Sequence, residues 1–95
     1  MNRQSQYGIQ GAVAAREAIV IGTMLHDLAR RLALLEADIA TEEERSGVSR
    51  PTDPRYTMLA RSLAARRDNL KATLTSLQER LAQLQLQQQR PAVAA

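Results

Sequence analysis

The sequence predicts an all-α fold: an antiparallel two-helix hairpin, coiled-coil-like, that dimerises into a four-helix bundle. Three observations predict it. Large apolar residues recur in alternating steps of four and three along both halves of the chain. One cluster of helix-breaking residues, around Gly47, Pro51 and Pro54, separates the halves. The first half also carries more apolar side chains than a single partner helix can cover. Steps of four and three present one seam of a helix to a neighbour, whereas a strand would alternate.

The first helix is expected over residues 9–46, after a flexible N-terminus at 1–8. Its seam is Ile21, Leu25, Leu28, Leu32, Leu35 and Ile39, extended backwards by Ala18, Ala14 and Gly11. The stretch AIVIGTMLHDLARR, residues 18–31, begins like a strand or a membrane segment. Its β-branched Ile19, Val20 and Ile21 lower helix propensity only slightly, and the surrounding Ala, Leu, Arg and Glu outweigh them. A membrane helix needs about 20 mostly apolar residues, and the charge-free run between Glu17 and Asp27 is shorter.

The turn is expected over 47–53. Gly47 takes positive φ without steric cost and suits the residue just past a helix end, and Pro51 cannot continue the helix. Asp53-Pro54 reads as an N-cap followed by Pro in the first helical position. The second helix then runs over 54–89, with Leu63, Leu70, Leu74, Leu77, Leu81 and Leu84 on one frame and Tyr56 and Ala60 earlier in it. Arg67 interrupts that frame, and beyond Leu84 the chain turns Gln-rich before Pro91. Residues 91–95 read as a disordered tail.

A short connection makes the helices antiparallel neighbours. Residue numbers within a layer of such a pair have a constant sum. One register sets Ile39 beside Leu63, Leu32 beside Leu70, Leu28 beside Leu74, Leu25 beside Leu77 and Ile21 beside Leu81. Its midpoint is Pro51, inside the turn inferred from other residues.

Helix one has a surplus. Val13, Val20 and Leu34 share a heptad position off the seam, and Ile19 and Met24 also lie off it. Gly11, Ala15, Ala18 and Gly22 form a strip along which another backbone could approach. Gly in mid-helix costs roughly 1 kcal/mol relative to Ala. The expected oligomer or partner interface is therefore Val13, Ala15, Ile19, Val20, Gly22, Met24 and Leu34. The competing explanation is that the small residues fit opposite Leu81 and Leu84 inside the hairpin.

Composition narrows the function classes. At 95 residues the chain is one domain. It has no Cys, which removes disulfides and thiol chemistry. It has two Tyr and no Phe or Trp, so the core is aliphatic. Arg3 leads into Gln and Ser rather than an apolar run, which is not a secretory leader, so a cytoplasmic location is expected.

His26 is the one histidine and lacks companion ligands in sequence, so it reads as solvated. Glu42, Glu43 and Glu44 point in different directions on a helix and read as ion-pair partners of Arg55, Arg61, Arg66 and Arg67, not as a chelate. Arg67 in the seam needs an acid, with Glu36, Asp38 and Asp68 in reach, or else snorkels out along its stem. Neither an enzyme motif nor a cofactor or small-molecule signature is present.

The function expected is that of a non-enzymatic interaction protein. It pairs with itself and serves another protein as adaptor, chaperone or structural subunit. The alternative is a nucleic-acid-associated protein using the basic turn end, through Arg50, Arg55, Arg61, Arg66 and Lys71. The net charge of +3 and the lack of a stacking platform beyond Tyr56 argue against it.

Overall fold

The computed structural model describes residues 3–89. It contains two helices, α1 (Arg3–Ser46) and α2 (Met58–Gln89), which pack against each other as a hairpin. The expected tail at 91–95 lies outside the described residues. The chain divides into two units: residues up to 26 with those from 75 onward, and residues 27–74.

In the first unit Ala14 and Ile21 of α1 are buried with Leu84 of α2. Ala18, Leu25, Leu77 and Leu81 pack around them. Glu17 and Arg80 close one flank with a bidentate pair at 3.0 and 3.2 Å. That crossing bond was not evident from the heptad frame.

In the second unit Ile39 and Leu74 are buried, while Leu28, Leu32, Leu35, Leu63 and Leu70 are half-buried. Every large apolar residue of the expected seam in both units is thus wholly or partly withdrawn from water, whereas Gly11 at its far end is exposed. Arg67 is half-buried and donates to Asp68 at 3.1 Å.

The helix ends show where local signals were decisive and where they were not. α1 ends at Ser46, and Gly47 follows with φ of 74°. The Gly47 N–H closes a last bond to the Glu43 carbonyl at 2.9 Å. Val48 then turns inward to pack on Tyr56 and Ala60 across the turn.

α1 begins at Arg3 rather than near residue 9. The segment before residue 9 contains no Pro, and α1 continues through it.

α2 begins at Met58, not near 54. Asp53-Pro54 forms a separate turn. Pro51 and Pro54 each occupy the second position of a turn closed by a bond from residue four to residue one: Asp53 N–H to the Arg50 carbonyl at 3.0 Å, and Tyr56 N–H to the Asp53 carbonyl at 2.9 Å. That position suits the fixed φ of proline. The Asp53 carboxylate accepts from the Arg55 N–H at 2.8 Å, so it caps this turn instead of the helix.

The helix cap is Thr57. Its Oγ1 accepts from the Ala60 N–H at 3.1 Å, the geometry of an N-cap. The same hydroxyl donates to Glu42 Oε2 of α1 at 2.7 Å. Thr57→Ala removes the cap and a partner of a buried carboxylate together. A loss of about 2 kcal/mol is expected by urea titration. Thr57→Ser, which keeps the hydroxyl, should recover most of it.

Candidate functional site

Two features stand apart from the seam: an uncovered apolar face on α1 in the first unit, and a polar lock at the turn in the second.

The apolar face follows from helix geometry. Side chains off the seam point away from α2, so apolar residues there have nothing within the hairpin to cover them. Ile19 is 70% exposed and Val20 57%. Val13, Met24 and Ile9 are exposed as well. Ile9 was not among the expected interface residues, although it lies within the same apolar stretch.

Ala15 and Gly22 are half-buried. A Cβ added at Gly11 or Gly22 would meet nothing within 4 Å. The hairpin therefore does not require glycine at either position, and fitting against Leu81 and Leu84 does not explain them. On α2 in the same unit Leu86 is exposed among the glutamines; a lone Leu in a Gln run was the available signal.

In the second unit Leu34 is 65% exposed. It lines an open groove of about 600 Å³ with Arg31, Leu35, Asp38, Arg66 and Leu70.

The turn lock is built on Glu42, which is only 5% exposed. Arg45 donates to both its oxygens, at 2.7 and 2.8 Å, and Thr57 donates to one of them. These bonds favour the charged form, and the carboxyl is held down to about 2 from its ordinary 4.5. Glu43 accepts from the Tyr56 hydroxyl at 2.8 Å, which pushes the tyrosine pKa up.

The expected partners of these acids, Arg55, Arg61, Arg66 and Arg67, are not the ones found. Arg45 lies on the same helix face as Glu42, one turn away, whereas the Tyr56 and Thr57 hydroxyls reach α1 first. The turn lock was missed because Glu42 burial depends on the path of the turn.

A depressed carboxyl pKa stabilises the fold above its unfolded value and loses that contribution as pH falls towards its folded value. The melting temperature should therefore fall as pH is lowered from about 4.5 to about 2. Glu42→Gln should be less stable at neutral pH and show a flatter acid limb. An unchanged acid limb in that variant would remove Glu42 from the account.

The basic residues are dispersed in their engagements. Arg50, Arg55, Arg61, Arg66 and Lys71 are all exposed. Arg55 is paired with Asp53 at 3.0 Å. Arg61 donates to the carbonyls of Pro51 and Asp53 and lies over the Tyr56 ring at 5.5 Å. Arg66 lines the groove.

His26 is exposed. Among the described residues no group of three or more His, Cys, Asp or Glu could hold a metal ion, and no helix is long and apolar enough to cross a membrane. Compared with known protein families, with characterised proteins and with solved structures, the chain matches none.

Proposed function

We propose that the chain is a non-enzymatic interaction protein. It self-associates through the apolar face of α1 and serves another protein as adaptor, chaperone or structural subunit. The observation that carries this reading is the exposure of Ile9, Val13, Ile19, Val20 and Met24 on one helix of one unit.

Burying a large aliphatic side chain is worth roughly 1.5–3 kcal/mol, and these residues are about half uncovered, so each forgoes roughly 1 kcal/mol. Several together rival the whole stability of a small domain. A concentration of such exposure on one helix marks an interface.

A symmetric homodimer is the simplest cover, because one patch then shields its own copy. Two hairpins meeting along α1 make a four-helix bundle.

Light scattering coupled to gel filtration tests the reading. A mass of two copies is expected for the purified chain at micromolar concentration. A monomer that stays helical with these side chains in water would overturn it.

The basic turn end gives less support to nucleic-acid binding. The charge of Arg55 is met by Asp53, and Arg61 donates to two backbone oxygens.

A further inference from the structure

We infer that the groove in the second unit receives an acidic, amphipathic helical segment of another protein. This rests on the reading of the chain as an interaction protein and names the chemistry of its partner.

The groove has an apolar floor and one arginine from each helix. Leu35 and Leu70, both half-buried, form the floor, and Leu34 stands beside them with most of its side chain in water. Arg31 of α1 and Arg66 of α2 line opposite helices' contributions to the same groove. Both are exposed, and neither forms an ion pair among the described residues. Asp38 is the one acid in the lining.

Leu59 is also exposed and precedes Arg66 by one heptad, so it lies on the same side of α2. It stands about 10 Å nearer the turn than Arg66, at 1.5 Å per residue.

This arrangement fits one occupant better than the others. The apolar edge of a helix lies in such a groove through side chains spaced one turn apart. Carboxylates flanking that edge meet guanidinium groups, whose planar donors pair with carboxylates bidentately.

A second copy docked groove to groove would bring together four arginines, Arg31 and Arg66 of each copy, with only the two Asp38 carboxylates to meet them, so positive charge would stay unmatched. A nucleic acid would satisfy the arginines but would leave Leu34 and Leu59 wet, and the lining holds no aromatic ring for a base to stack on.

The test is fluorescence anisotropy on the full-length chain with a labelled designed peptide: an amphipathic helix with Leu at one-turn spacing and Glu on both flanks. Its scrambled version, its Lys-for-Glu version and a single-stranded oligonucleotide are the other probes. Saturable binding of the patterned peptide alone is expected. Leu34→Glu and Arg66→Glu should each weaken it at least about tenfold, with circular dichroism and solution mass recorded for every variant. Both positions are exposed, so the hairpin should persist.

Three results would overturn the inference: no binding of the patterned peptide, equal binding of the scrambled peptide, or oligonucleotide binding that Arg66→Glu abolishes and Leu34→Glu leaves intact. A chain that is dimeric yet ignores the patterned peptide defeats this inference and leaves self-association standing. A monomer that binds the peptide does the reverse.

Discussion

A chain carrying Ile19→Glu, Val20→Glu and Met24→Glu together should run at the mass of one copy while keeping the helical circular dichroism of the parent. All three side chains are exposed on α1, so within the hairpin they give up little packing when replaced. In a twofold interface each substitution counts twice, once on each copy. Six carboxylates would be driven into a dry contact without partners, which costs several kcal/mol. The dimer should weaken by at least about a thousandfold, or about 4 kcal/mol. Light scattering over a dilution series reads it directly. A variant that keeps the parent's dimer mass would place the interface elsewhere.

Leu84→Ala should be the most damaging single truncation in the seam. Leu84 is 1% exposed and is the largest side chain so thoroughly enclosed. It packs against Ala14 and Ile21, with Ala18 beside them. Alanines cannot swing into a vacated space, so the cavity would persist. Truncations of this kind cost about 2–5 kcal/mol, a large part of what a chain this size has. Urea titration should show the midpoint falling with little change in slope. Leu77→Ala, at a half-buried position of the same cluster, should cost distinctly less. Equal costs at the two positions would mean that the cluster is packed differently.

Much of this architecture is legible in the residues because it depends on period alone. Steps of four and three place Ile21, Leu25, Leu77 and Leu81 together whatever else the chain does. Gly47 is legible for a similar reason: the left-handed φ it adopts belongs to glycine.

Asp53-Pro54 misleads because the same dipeptide suits a helix start and an isolated turn. The choice was made at a distance, by Thr57 finding Glu42 across the hairpin. Val48 and Glu42 owe their burial to the course of the turn, which no local pattern announces. The apolar face is legible in part: surplus residues such as Ile19 and Val20 can be counted from the sequence. The groove beside Leu34 needs coordinates, because it is formed by both helices of one unit.

The bond from Thr57 to Glu42 spans 15 residues, whereas the bond from Arg80 to Glu17 spans 63. Bringing chain segments together costs entropy that grows with the logarithm of the intervening length, a difference here of roughly 1 kcal/mol. The bend is therefore the cheapest place for the two arms to meet first, and assembly should travel outward from it. A destabilising change at Thr57 should slow refolding, whereas one at Leu84 should mainly hasten unfolding.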